Sequence, residues 1–311
     1  MADERAGLRF LINPSSGGRR RRRRLRDAIE RASARDGAGV ERSTSGADLT
    51  ARARRAVEEG VARLVVAGGD GTVHLAVQAV AGSGVELAIL PTGRGDDFAL
   101  SAGIPRRPAD ALGLALEGEA RPLDLGWVRW GGGSARFAAY AGVGFDSAAA
   151  EVANRQPRWL PTGLTYVLAV LRTLVGFRAP EIRLTHDGGE WRGRVMFATA
   201  CNAPRFGGGM RIAPEARLAD GRLDLVVVRE VGRLELLRVF PRVFSGSHLG
   251  HPAVTVFRTR RARVEVEPPA LLGSDGELLD RVGAIEVGVE PGALRLVAPS
   301  GAPAAAGAPG A

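Results

Sequence analysis

Short apolar runs bounded by glycine-rich turns punctuate the first 125 residues. Leu8-Arg9-Phe10-Leu11-Ile12, Arg63-Leu64-Val65-Val66 and Glu86-Leu87-Ala88-Ile89-Leu90 read as buried strands. Between them, apolar positions recur at helical spacing: Leu25, Ala28 and Ile29 after the arginine run 19–24, a second pattern over 47–59, and Val73, Val77 and Val80. Strand, loop and helix in repetition predict a parallel, Rossmann-like α/β sheet, whose ligands sit at the carboxyl ends of its strands. The pattern changes after Gly126. Alternating runs at 137–140, 181–185, 194–199, 223–228, 254–257, 262–266 and 284–289 predict an antiparallel β-sandwich or barrel. A helical insertion over 147–175 interrupts them, with apolar Leu164, Val167, Leu168, Leu171, Leu174 and Val175. Core packing is its ordinary explanation, and a wall for a greasy substrate is the alternative. The expected division is therefore an α/β domain over 1–125, a β-rich domain over 126–298 and a disordered Pro/Gly/Ala tail over 299–311.

Each predicted strand of the first half ends in a loop with chemistry. Asn13-Pro14-Ser15-Ser16-Gly17-Gly18 follows the first, Gly68-Gly69-Asp70-Gly71-Thr72 the second, and Pro91-Thr92-Gly93-Arg94-Gly95-Asp96-Asp97 the third. Paired glycines after a strand let backbone N–H groups approach a phosphate, and the positive end of the next helix favours an anion. Thr72 is expected to cap that helix, and Asp70, acidic where phosphate is expected, suggests a metal or proton-transfer role. A tight turn with a capping aspartate is the plainer alternative. Asp96 and Asp97 beside Arg94 suit Mg²⁺ held through water with a guanidinium on phosphate, although Asp96 is also placed to cap a helix beginning at Phe98.

Composition narrows the class. The 311 residues are 45% hydrophobic and 25% charged, as in a soluble globular chain with room for two cores. All 43 positive side chains are arginines, and the formal net charge of +9 favours anions in general: nucleotides, anionic lipid surfaces or nucleic acid. Only 5% of residues are aromatic and no reading motif accompanies the arginine run, which argues against nucleic acid. That run reads as a solvated helix face or as a cationic first turn awaiting phosphate or head groups. The single cysteine, Cys201, excludes an internal disulfide and fits a reducing, cytoplasmic setting. The charged N-terminus does not resemble a secretory signal, and the longest apolar stretch, 164–175, contains Arg172 and falls short of the roughly 20 apolar residues that span a bilayer. Membrane contact is expected to be peripheral.

The motifs taken in order resemble the diacylglycerol kinase catalytic family, and more narrowly the bacterial soluble lipid kinases. To the three loops the sequence adds Asp124-Leu125-Gly126, Gly142-Val143-Gly144-Phe145-Asp146, residues 219–225 and Asp275-Gly276-Glu277. The resemblance spans residues 8–297 and implies ATP and Mg²⁺ in a cleft between the two halves. It implies that Asn13, Ser15, Ser16, Gly17, Gly68, Gly69, Gly71, Thr72, Gly93, Arg94 and Gly95 border the nucleotide. It also implies a water-mediated metal network of Asp70, Asp97 and Asp124. Glu277 matches the family's general base, with Asp275 beside it and Asp70 as the rival; a surface turn is the plain reading of 275–277. The loop 217–222 resembles a structural Mg²⁺ site, with Asp220 giving a carboxylate and Arg217 and Arg222 backbone carbonyls; a plain Asp-Gly hairpin explains it equally well. In the third loop Arg94 and Asp96 depart from the family's Thr and Asn, which changes reach and charge at the phosphates.

The leading expectation is an ATP-dependent lipid kinase acting on a lipid hydroxyl, with diacylglycerol the first candidate. Its partners are a lipid substrate and a peripheral membrane surface at the inner face, no nucleic acid, and a homodimer is compatible. An NAD kinase shares Gly-Gly-Asp-Gly-Thr and is the enzymatic alternative. A non-catalytic regulator that responds to nucleotide or lipid is the alternative from another class.

Overall fold

The computed structural model describes residues 7–17, 19–154 and 162–300, so Gly18, residues 155–161 and the expected tail from 301 onward lie outside the described residues. The N-terminal half runs β1 (Leu8–Ile12), α1 (Arg19–Asp36), β2 (Gly39–Arg42), α2 (Gly46–Glu58), β3 (Arg63–Gly68), α3 (Asp70–Val80), β4 (Glu86–Pro91), α4 (Asp97–Ser101) and α5 (Pro108–Glu117). Its strands pair in parallel in the order β2-β1-β3-β4. Both faces are covered, which is why these strands are apolar at successive positions. Leu64 and Val66 pack with Leu49, Val73 and Val77 of α2 and α3, whereas Val65 and Ala67 pack with Leu25, Ile29 and Ala111 of α1 and α5. Ser45 caps α2 by accepting the Asp48 N–H at 3.1 Å.

The second half contains β5 (Ala120–Trp130), β6 (Gly133–Phe137), β7 (Tyr140–Gly144), α6 (Phe145–Asn154), α7 (Thr162–Gly176), β8 (Glu181–His186), β9 (Gly189–Cys201), β10 (Leu223–Arg229), α8 (Arg233–Val239), β11 (Val254–Thr259), β12 (Arg261–Ser274) and β13 (Glu277–Val297). Two 3₁₀ turns, Phe240–Phe244 and Ser247–Gly250, follow α8. Neighbouring strands here pair antiparallel, around a core that includes Phe137, Ile182, Leu225 and Val264. The architecture is the expected one, an N-terminal α/β half followed by a sheet-rich half.

The two halves share β13. This 21-residue strand pairs antiparallel with β12 and β5, then its end runs parallel to β4 at Arg295 and Leu296. Its register shifts between Glu290 and Leu294, where Gly292 has φ +64°, and beyond this bulge the strand reaches β4 and joins the two halves in one continuous sheet. Alternation over 284–289 revealed only the middle of it, because Pro291-Gly292 reads locally as a turn.

Three local expectations are corrected. The strand expected at 137–140 straddles a break: β6 ends at Phe137 and β7 starts at Tyr140, because a carboxylate takes up the N–H groups of residues 138–140. The single helical insertion is two helices, α6 and α7. Leu174 is buried as expected of a core position, but Leu171 is 41% exposed, and the side chains of Leu164, Val167 and Val175 lie outside the described residues. No helix among the described residues is long and apolar enough to cross a membrane.

Candidate active site

Three loops at the carboxyl ends of β1, β3 and β4 lock onto one another. Asn13 donates its N–H to the Ala67 carbonyl and Thr92 its N–H to the Gly68 carbonyl, both at 2.9 Å. Asn13 Nδ2 donates to Thr72 Oγ1 at 2.8 Å, Thr92 Oγ1 donates to Ser16 Oγ at 2.9 Å, and Ser15 donates both N–H and O–H to Asn13 Oδ1. The backbones approach too closely for side chains: a Cβ on Gly69 would stand 2.9 Å from Gly93 Cα. Gly17, at φ +80°, abuts the Thr92 carbonyl in the same way. Gly69 takes the N-cap position of α3, and no side chain caps that helix. Thr72, expected as the cap, is instead the third residue of α3, with its hydroxyl committed to Asn13.

Asp70 and Asp97 flank Gly95. A Cβ there would lie 3.0 Å from Asp70 Oδ2 and 3.3 Å from Asp97 Oδ2. Asp70 Oδ1 accepts the Phe98 N–H at 3.3 Å, and Asp97 Oδ2 accepts the Gly208 N–H at 2.7 Å. Burial raises both carboxyls above the usual carboxylate range, against the pull of these amides, and mutual charge adds to it: Asp275 acts on Asp70, and Asp70 acts on Asp97. Asp97 Oδ1 is buried without a hydrogen-bond partner. A paired, crowded, incompletely satisfied set of carboxylate oxygens suits a divalent cation. Among the described residues no group of three or more His, Cys, Asp or Glu forms a metal cage, so the pair would need water and phosphate oxygens to complete a shell. Asp96 lies at the N-cap of α4 with φ +54°, but its Oδ1 accepts the Gly93 N–H at 2.8 Å and does not cap the helix. Arg94 lines the cleft described below, and Arg106 braces this altered loop through the Arg94 and Gly95 carbonyls at 3.0 and 2.7 Å.

The turn between β12 and β13 brings in the second half. Asp275, at φ +47°, accepts the N–H groups of Ala138, Ala139 and Tyr140 at 2.7, 2.9 and 3.0 Å and faces His74 Nδ1 at 3.2 Å. Its carboxylate is fully engaged in fixing this turn against α3. His74 lies one helical turn after Asp70. Burial works against its charged form, but the hydrogen bond and charge of Asp275, joined by Glu277, outweigh burial and raise its pKa. Glu277 is exposed and leans toward the start of α3, its Oε1 3.7 Å from where a Gly71 Cβ would be.

Asp124 stands elsewhere. Buried at 4% exposure, it accepts the Gly292 N–H at 2.9 Å and the Gly221 N–H at 2.7 Å, pinning the β13 bulge to the 217–222 loop. It does not line the cleft that Asp70 and Asp97 line. Asp220 accepts the Arg222 N–H at 3.0 Å and a guanidinium N–H of Arg258, and Arg258 also meets Asp224 Oδ1 at 3.2 Å. An arginine thus already stands where the sequence suggested a structural Mg²⁺, and both Asp220 oxygens are engaged. The donor set does not fit a metal there.

Two clefts border the loops. One, of about 430 Å³, is lined by Asn13, Ser16 and Thr92 with Arg23, Arg26 and Arg42, over apolar Leu25 and Ile29. The other, of about 600 Å³, runs between the halves past Asp70, His74, Arg94, Asp97, Tyr140 and Phe206. It shares Asp146, Phe206 and Phe240 with an adjoining, almost wholly apolar cavity that reaches Phe145, Val170 and Leu236. Sequence reasoning assigned no role to His74, Asp146 or Gly208. His74 was signalled by its i+4 spacing from Asp70, and the 207–209 triplet by glycines flanked by Phe206 and Met210. Asp146 is pushed up by burial, and it accepts the Ser147 N–H at 2.8 Å and the Thr199 hydroxyl at 3.0 Å.

An α/β half whose glycine loops carry a pair of carboxylates, facing a β-rich half across a cleft, is the architecture of the diacylglycerol kinase and NAD kinase fold class. Residues 7–128 match the model of the diacylglycerol kinase catalytic domain, and residues 139–298 match the YegS C-terminal NAD kinase beta sandwich-like domain. The chain belongs to the diacylglycerol kinase family of lipid kinases. It is 35% identical over 248 residues to a diacylglycerol kinase of Mycobacterium tuberculosis, covering 78% of this chain and 79% of that one. It is 29% identical over 279 residues to a diacylglycerol kinase of Bacillus subtilis, covering 86% and 89%. Among solved structures, a diacylglycerol kinase from Bacillus anthracis superposes with a TM-score of 0.71 at 18% identity, covering 94% of this chain and 96% of that one. An NAD kinase from Archaeoglobus fulgidus in complex with ATP reaches 0.50 at 12% identity, covering 93% of each.

Proposed function

We propose that the protein transfers the γ-phosphate of ATP to the hydroxyl of a neutral lipid, with diacylglycerol the first substrate to test. The observation that carries this reading is the juxtaposition of the interlocked glycine loops and the Asp70–Asp97 pair with a cleft that opens into an apolar cavity. A phosphate cradle alone serves many kinases; the apolar cavity beside it, of about 70 Å³, has room for only a few methylenes of an acyl chain, but its lining ill suits the polar nucleotide of an NAD kinase. The arginine-lined cleft at Asn13, Ser16 and Thr92 takes the nucleotide, with apolar Leu25 and Ile29 under the base. Its phosphates then lie along Gly68–Gly71 and Gly93–Gly95, at the uncapped start of α3.

Asp70 and Asp97 would hold Mg²⁺, which when bound neutralises charge on the transferring phosphate. The chain's own residues do the rest. Glu277, leaning toward the start of α3, accepts the proton of the lipid hydroxyl as its oxygen bonds to phosphorus and the bond to the leaving ADP breaks. Asp275 acts as a positioning residue: it fixes the turn that carries Glu277 and holds the His74 ring beside it. Tyr140 and Phe206, stacked with ring centroids 3.7 Å apart, wall the cleft against water.

Incubation of the protein with Mg²⁺, ATP and a total lipid extract, followed by mass spectrometry of phosphorylated products, tests the reaction. A phosphorylated neutral lipid is expected; no product across a broad lipid panel, or conversion of NAD to NADP, would defeat the proposal. Glu277→Gln should lower turnover roughly 100- to 10,000-fold with ATP binding retained. Unchanged turnover would remove Glu277 from the mechanism.

A further inference from the structure

The segment 233–244, α8 and the 3₁₀ turn after it, has two apolar faces, and only one of them is used inside the protein. Leu236 and Val243 are buried and, with Val239 and Phe240, line the apolar cavity. Leu234, Leu237 and Phe244 face solvent at 70%, 38% and 50% exposure. They are three of the five large hydrophobic side chains exposed among the described residues, and they fall within twelve positions of sequence. Large apolar side chains exposed so close together in sequence mark an interaction surface, because burying them against a partner removes apolar area from water.

Its surroundings select the partner. Arg233, Arg238 and Arg242 are exposed among these side chains, and the segment's one carboxylate, Glu235, already faces His251 at 3.3 Å. Phe240 and Phe244 also line the 600 Å³ cleft, so the patch stands at the mouth of the site. A second copy of the chain would set these arginines against one another. An anionic surface would neutralise them while its acyl layer takes up the leucines.

We infer that residues 233–244 dock the protein on an anionic phospholipid surface: Leu234, Leu237 and Phe244 enter the interface, and Arg233, Arg238 and Arg242 meet lipid phosphates. The inference rests on the lipid-kinase reading and deepens it, since docking there places the cleft mouth against the layer that contains the substrate. No charged residue would then have to cross the acyl region, and a neutral lipid could slide past Phe244 toward Phe240.

Co-sedimentation with vesicles of phosphatidylcholine, with and without phosphatidylglycerol, tests it on the full chain. The wild type should bind the anionic vesicles, less so at high salt, and bind phosphatidylcholine alone weakly. Leu234→Asp combined with Arg238→Glu should lower anionic-vesicle partition roughly tenfold or more. The same variant should keep wild-type activity on detergent-dispersed substrate and lose activity on vesicle-embedded substrate in parallel with binding. Equal vesicle binding by wild type and variant would overturn the assignment, as would a wild-type dimer that the variant splits. If the wild type phosphorylates no detergent-dispersed lipid, the kinase reading fails while the sedimentation result still decides the docking surface.

Discussion

Two groups of aspartates at the junction of the halves look alike in sequence and differ in what surrounds them. Asp70 and Asp97 crowd one another around Gly95, with their carboxyls pushed up by burial and with Asp97 Oδ1 lacking a partner. Asp124, Asp220 and Asp224 are answered on the spot: two glycine amides for Asp124, and Arg258 for the other two. The first group holds unmet electrostatic demand, which a bound cation and phosphates would satisfy. The second has met its demand within the chain and serves the joint between sheets.

The comparison is broken most forcefully at Asp97. Asp97→Asn removes one charge of the crowded pair and keeps an acceptor for the Gly208 N–H. Kinase activity should fall roughly 100- to 1,000-fold, while the fold gains. The native carboxyl is raised by burial, so the folded state is penalised progressively as pH rises from the unfolded pKa through the folded one. The amide removes that penalty, and at neutral pH a rise of roughly 2–4 °C in Tm is expected. A variant both inactive and less stable would place Asp97 among the structural aspartates.

Asp124→Ala should do the reverse. It strands the Gly221 and Gly292 amides at the β13 bulge, at a cost of roughly 2–3 kcal/mol in a denaturant titration, while kcat per folded molecule stays within a few-fold of wild type. A selective loss of kcat with unchanged stability would return Asp124 to the network that the motif order suggested.

That contrast also marks how far the sequence could be read. The alternation of apolar strands and glycine loops carries the α/β half, because each strand is covered on both faces and each loop closes at a carboxyl end. The sharing of β13 was not legible: Pro291 and Gly292 spell a turn locally, and only a distant carboxylate, Asp124, makes them a bulge inside a strand. For the same reason Asp275, next to a residue read as the base, turned out to be held by three amides 135 to 137 positions away. Motif spacing records which residue types recur; it does not record which of their lone pairs are already taken. Asp70 and Asp97 were grouped by resemblance, and the fold brings them together because each opens the helix that follows one of two adjacent parallel strands, β3 and β4.

The smallest effect is expected at Arg258, and its pH dependence is what makes it informative. Asp224 is raised to about 6 by burial, against the opposing charge of Arg258. Between its unfolded pKa and about 6, the folded state therefore binds the extra proton, and stability falls as pH rises through that window. With Arg258 in place the carboxylate that emerges above the window has a partner; in Arg258→Ala it has none, and Asp220 loses its partner as well. The variant should be nearly as stable as wild type at pH 5, where Asp224 is largely protonated, and about 1 kcal/mol less stable at pH 8, the figure being held down by the half-exposed guanidinium. In the Asp97→Asn background, which lacks one carboxylate of the Gly95 pair, chelator should leave the Tm unchanged, since the guanidinium is the cation of the 217–222 loop. A chelator-induced fall in Tm in that background, matched by a pH-independent effect of Arg258→Ala, would mean that the loop takes a metal after all and that the two groups of aspartates differ less than their surroundings indicate.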